Sequence, residues 1–184
     1  PQPFSMLYTG RLNRRYGLEL LLQAMKELHD PDIELWLCGS GEMEEEIRAY
    51  AAQDSRIRFF GFLPHEEAVQ LQKQATVLVN PRTNQGEYTK YSFPSKTMEY
   101  MASGRPVMMF RLDGIPGEYD PFLTYIPKES AASIRDTAES LRKLSPSELD
   151  EMGARGREFV LKNKNRNVQM HRVLDFIHKE QSDA

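Results

Sequence analysis

The chain has 184 residues, of which 40% are hydrophobic, with a formal net charge of -3. That is enough to build one well-cored domain and too little for two of ordinary size. The mild acidity argues against a general polyanion-binding surface and so against nucleic acid as a partner, although a local arginine cluster can still meet phosphate groups.

In chain order, short β-branched or aromatic runs alternate with stretches of helical period. "FSMLYTG" is a strand, and "YGLELLLQAMKEL" carries Leu18, Leu21, Leu22, Met25 and Leu28 on one helical face. Then come strand "IELWLCG", acidic helix "EMEEEIRAYAAQ", strand "IRFFGFL", helix "PHEEAVQLQKQA" and strand "TVLVNPR". After a polar loop, helix "PSKTMEYMAS" should end on Gly104 as a left-handed cap, followed by strands "RPVMMF" and "LTYIP" and a helical tail. The expected fold class is α/β: a Rossmann-like, doubly wound parallel sheet of about six strands, with helices on both faces and a helical C-terminal tail. Ligands in such sheets bind outside the carboxyl ends of the strands, which directs attention to the loops after Gly10, Gly39, Gly61 and Pro81.

The single cysteine, Cys38, sits in "ELWLCGSG" and reads as a small core residue in a reducing compartment. No apolar run approaches the roughly 20 residues a bilayer span needs, and no signal peptide is visible. The chain opens on Pro1, which fits a trimmed natural start or a cut between two domains equally.

Four stretches are candidates for chemistry. In "TGRLNRRYG", Gly10 allows close backbone approach, and Arg11, Arg14 and Arg15 crowd the turn before the first helix. Arginine forks match phosphate oxygens, and a solvated basic turn is the plain alternative. "CGSGE" lacks the third glycine of a phosphate loop, and Glu44 and Glu45 would repel pyrophosphate, so a tight turn is favoured there. In "FFGFLP" the three phenylalanines cannot all point inwards, and Gly61 before Phe62 fits close approach by a planar base. In "YSFPSKTMEYMASG", Pro94 suits the first turn of a helix, Ser92 or Ser95 can cap it, and Lys96 and Glu99 lie three apart on one face. A surface ion pair explains them; so does a division of labour in which helix amides and Lys96 meet phosphate while Glu99 accepts from two vicinal ribose hydroxyls. His29, His65, His171 and His178 show no metal-ligand spacing, and no Ser-His-Asp arrangement is evident, so no metal is expected. The "EMEEE" run reads as the wet face and first turn of its helix.

Taken together, "YTGRL", "YGLELLLQAM", "IELWLCGSGEMEEEI", "IRFFGFLPHEEAVQLQKQATVLVNPR" and "FPSKTMEYMASGRPVMM" resemble the C-terminal half of GT-B glycosyltransferases, in particular the retaining glycosyltransferase family four, the glycosyl transferases group 1. The match runs in order from about Met6 to Pro127. The resemblance implies a Rossmann-like donor domain for a nucleotide-diphosphate sugar, with UDP or GDP as carrier and no cofactor or metal. It implies that Gly10 and Arg11 grip the diphosphate, with Arg14 or Arg15 replacing the family lysine whose place falls on Tyr16. Gly61, Phe62 and Leu63 would take the base edge, and Ser92, Phe93, Pro94, Ser95 and Lys96 would surround the phosphates. Of the two family glutamates, the ribose-binding one matches Glu99; the sugar-binding one falls on Tyr91, which leaves Glu87 or the Tyr91 hydroxyl as candidates. "DGIPGEYDP" resembles the same branch of the family.

The same resemblance implies that acceptor and catalytic groups come from an N-terminal domain absent here, so that this piece alone transfers little or nothing. The expected division is a donor domain at 1–165 and a C-terminal helix at 166–184, packing back on it or towards that other domain and needing burial for Val168, Val173, Leu174, Phe176 and Ile177. Polysaccharide or lipopolysaccharide assembly, in the cytoplasm or at an inner membrane surface reached through the absent half, is the family-level expectation. A non-catalytic nucleotide-binding or interaction module on the same fold is the alternative. An oxidoreductase domain is disfavoured because the first strand is not followed by GxGxxG.

Overall fold

Residues 3–84 and 95–164 are described by a computed structural model. Six parallel strands form one sheet: β1 (Phe4–Arg11), β2 (Ile33–Ser40), β3 (Ile57–Gly61), β4 (Val77–Asn80), β5 (Val107–Phe110) and β6 (Thr124–Ile126). Their spatial order is β3-β2-β1-β4-β5-β6, so the winding reverses between β1 and β4. This is the expected doubly wound, Rossmann-like sheet.

Strand alternation sorts the core into two halves. Met6 and Tyr8 of β1, Leu35 and Leu37 of β2, and Met108 and Phe110 of β5 belong to one cluster, with Leu18, Leu21, Leu22 and Met25 of α1 (Leu18–Glu27) and Ile134, Ala138 and Leu141 of α5 (Ala131–Arg142). Ile47 from α2 (Glu44–Gln53) joins them. Leu7, Cys38, Leu78 and Met109 point the other way, to Leu71 of α3 (His65–Gln74) and Tyr100 and Met101 of α4 (Ser95–Ser103). Helix α6 (Pro146–Asn163) places Leu149 in the first cluster and Val160 in the second. It starts on a capping box, Ser145 accepting from the Glu148 N–H while Glu148 accepts from that of Ser145.

The elements match the sequence reading to within a few residues at their ends. Gly104 follows α4 at φ 83°, in the left-handed region expected of a cap. Two described elements were not foreseen: Arg14–Tyr16, ahead of α1, and Gly117–Phe122, within "DGIPGEYDP", each wind into a 3-10 helix, the second burying Tyr119. Strand β3 also stops at Gly61, short of Leu63, because a bulge at Phe60 sets Gly61 opposite Cys38. Among the described residues, no helix is long and apolar enough to cross a membrane. Residues 85–94 and 165–184, and with them the proposed division at 165/166, lie outside the described residues.

Candidate functional site

Beyond the carboxyl ends of β1, β2 and β3 lies a cavity of about 440 Å³, a size typical of small-ligand pockets. Its lining comes from the ends of three strands (Thr9 to Arg11, Cys38 to Ser40, and Phe62 with Leu63), from the start of α3, and from Lys96 and Glu99 of α4. The wall between the first two loops is backbone against backbone. Gly39 has φ 146°, and a Cβ there would run into the Gly10 carbonyl oxygen, so no side chain fits.

The floor is built where the sheet runs out. β4 pairs with β1 only at Met6 and Leu7, which leaves the Thr9 backbone facing that side without a strand partner. The buried Tyr100 hydroxyl replaces one, accepting from the Thr9 N–H at 2.7 Å and donating to the Thr9 carbonyl at 3.0 Å. Burial pushes its phenol well above the usual tyrosine range, so it stays a donor. Tyr8, raised chiefly by burial and then by the neighbouring Tyr100, donates to the Arg11 carbonyl at 2.8 Å and pins the loop above the cavity. Burial also raises the Cys38 thiol, which keeps this cavity-lining residue protonated rather than nucleophilic.

On the α4 side, Lys96 Nζ stands 3.3 Å from each oxygen of Glu99. Its aliphatic chain passes alongside Gly10. Glu99 Oε1 also accepts from Gln72 Nε2 at 2.7 Å, a partner that sequence reading missed. Its signal was there: Gln72 shares the apolar rows of α3 with Ala68, Leu71 and Ala75 and is 1% exposed. At the mouth, Phe62 is 72% exposed, while Phe60 packs on Trp36 at 5.6 Å and Phe59 on the opposite core cluster.

Of the sequence-predicted residues, the cavity brings together Gly10, Arg11, Phe62, Leu63, Lys96 and Glu99. The side chain of Arg11 is exposed and makes no ion pair among the described residues. Gly61 immediately precedes this lining, and Ser95 is exposed at the start of α4. Arg14 and Arg15 are not brought to it. Arg14 lies in the turn before α1, where its guanidinium pairs with Glu46 at 2.7 Å and with Glu19, and its N–H donates to Glu42 at 2.9 Å. Arg15 lies over the Tyr16 ring, 5.0 Å from its centre. Glu42 of the second βα loop, Glu46 of α2 and Glu19 of α1 thus take the place expected of a phosphate at Arg14, and "EMEEE" is more than a wet face. In "CGSGE", read from sequence as a tight turn, Cys38, Gly39 and Ser40 instead end β2 and line the cavity, and the turn begins at Gly41, whose N–H donates to Glu44. Glu87, Tyr91, Ser92, Phe93 and Pro94 lie outside the described residues. Among the described residues, no three His, Cys, Asp or Glu side chains gather as a metal site.

The profile of the family described as glycosyl transferases group 1 matches residues 3–142. A D-inositol 3-phosphate glycosyltransferase of Corynebacterium diphtheriae is 34% identical over 122 residues, 60% of this chain and 27% of its own. The amylovoran biosynthesis glycosyltransferase AmsK of Erwinia amylovora is 26% identical over 156 residues, 81% of this chain and 38% of its own. Among solved structures, the C-terminal domain of the glycosyl transferase group 1 family protein LpcC of Francisella tularensis superposes with a TM-score of 0.70 at 18% identity, covering 88% of this chain and 86% of that one. The chain spans less than half the length of the curated relatives it matches.

Proposed function

The chain belongs to the glycosyl transferases group 1 family, and on that premise we propose that it is the donor-binding domain of a retaining glycosyltransferase that uses a nucleotide-diphosphate sugar. The observation that carries this reading is the convergence of Gly10, Arg11, Lys96, Glu99, Phe62 and Leu63 on one cavity at the carboxyl ends of the strands.

The chemistry divides along the molecule bound. Arg11 and Lys96 neutralise the diphosphate, and Gly10 lets its oxygens approach the backbone. Glu99 accepts from the ribose hydroxyls. The backbone from Gly61 to Leu63 meets the base edge, with Phe62 beside it at the mouth. Glu87 or the Tyr91 hydroxyl is the candidate contact to the sugar, and the acceptor and the groups that act at the reacting carbon belong to a preceding domain. The 184-residue chain by itself therefore binds donor and turns over little.

Titration of UDP and GDP tests the reading. Glu99→Ala weakens the better-bound nucleotide by at least about tenfold, the worth of a charge-assisted hydrogen bond, while the free protein stays folded and still melts cooperatively. Undiminished affinity in the variant would refute the site assignment. Tyr91 standing where the family has a glutamate favours a second reading, a binding module without transfer activity. Donor turnover by the chain joined to its preceding domain rules that out, and tight nucleotide binding without turnover supports it.

A further inference from the structure

We propose that Gln72 is a positioning residue: it holds the Glu99 carboxylate in place for a ligand's vicinal hydroxyls after Lys96 has turned to phosphate. The inference rests on the assignment of Glu99 to the ribose made above.

A primary amide in the apolar stripe of α3 is costly to bury unless its polar atoms are satisfied. Gln72 satisfies half of its own. Nε2 donates both hydrogens, to Glu99 Oε1 at 2.7 Å and to Thr9 Oγ1 at 3.1 Å. Oε1 of the same amide is buried with no hydrogen-bond partner among the described residues. A leucine would fill the space without that orphan, so the amide is retained for what its nitrogen does. Its orientation is set by chemistry, since the reverse rotamer would aim a carbonyl oxygen at a carboxylate.

The other end of the arrangement is fixed in the core. Thr9 lies near the end of β1, which pairs with β2 along its other edge, and the Thr9 N–H and carbonyl are both held by the Tyr100 hydroxyl. Gln72 therefore ties Glu99 to the sheet rather than to another mobile side chain. The tie engages one oxygen. Glu99 Oε1 receives Gln72 and Lys96, whereas Oε2 receives Lys96 alone, leaving it the greater spare acceptor capacity.

Lys96 is the weaker anchor. Its 3.3 Å contacts are long for charge-assisted bonds, which favour about 2.7–2.9 Å, and an ammonium is drawn to a diphosphate as a neutral amide is not. Once Lys96 swings, Gln72 is the remaining hydrogen-bond donor to Glu99 among the described residues. Without it the carboxylate can follow Lys96 towards the phosphates and leave the diol unmet.

Affinities for UDP and GDP and for their 2′,3′-dideoxy forms, measured on the full 184-residue chain, test this. The wild-type protein prefers the ribonucleotide by about tenfold or more, and Glu99→Ala abolishes that preference. Gln72→Met, which keeps the volume and removes the donor, cuts the preference to about threefold or less with dideoxy affinity within about twofold of wild type, and adds nothing in the Glu99→Ala background. Gln72→Leu, which is apolar and carries no donor, does the same and serves if the methionine variant fails to fold. A full ribose preference in the folded Gln72 variants, lost only in Glu99→Ala, overturns the inference and leaves the Glu99 reading standing. A preference indifferent to Glu99, or no nucleotide binding at all, overturns both.

Discussion

The two ends of the sheet each carry a cavity of similar size, about 440 Å³ beyond the carboxyl ends of the strands and about 400 Å³ at the amino ends. Both are lined by basic residues. At the amino end the charge is spent internally: Arg105 donates to Asp150 and to the Lys73 carbonyl, and Arg142 lies within ion-pair distance of Asp30 and Asp32. Nearby, Arg56 donates to the Met25, Leu28 and Asp30 carbonyls as well as to Asp54, closing the C-terminal turn of α1 against the β2–β3 connection. At the carboxyl end Arg11 pairs with nothing among the described residues, and Lys96 stands 3.3 Å from a carboxylate that Gln72 holds more closely. Cavity size therefore does not separate a site from a seam in the packing; the difference lies in Arg11, a cation at the carboxyl end with no anion among the described residues.

Four changes break or sharpen that contrast. The largest is Gly39→Ala, which forces both a rare backbone conformation and a collision with Gly10 and should cost on the order of 4 kcal/mol or more, read by denaturant unfolding. A folded, fully stable variant would mean that the two loops are not locked together. Arg56→Ala should cost about 2–3 kcal/mol by leaving helix carbonyls unmet, with nucleotide affinity unchanged; a matching loss of affinity would erase the distinction between the two ends.

Arg11→Ala is expected to do the reverse, lowering diphosphate affinity about tenfold with the melting temperature unmoved. The smallest effect is in acid. Arg56 holds the Asp54 carboxyl below its ordinary range, chiefly through their hydrogen bonds. That pair therefore stabilises the fold fully above the ordinary aspartate value of about 4, and the contribution is lost as pH falls through the lowered folded value. Asp54→Asn should flatten the acid limb of a stability profile below about pH 4 and leave neutral-pH binding alone.

The sheet was legible because its strands and helices announce themselves by local period. Lys96 with Glu99 was legible for the same reason, being one helical turn apart. What escaped was formed by distant segments. Tyr100 meets Thr9 across 91 residues and Gln72 meets Glu99 across 27, and neither pairing leaves a mark on its own stretch beyond a polar atom in an apolar row. Arg14 escaped differently. Its basic turn and the acidic run at Glu42 and Glu46 were each visible, but only the adjacency of β1 and β2 makes them partners. Strand order should have prompted the question.

One consequence follows from the contact between Lys96 and Glu99. A ligand that engages both must part them, so a nucleoside alone or pyrophosphate alone bears that separation for half the reward. Joined as a nucleotide, the two fragments share a single rupture, and the whole should bind more tightly than the product of its parts predicts. The protein would then be nearly blind to free pyrophosphate and to free nucleoside while still gripping the two when they are joined.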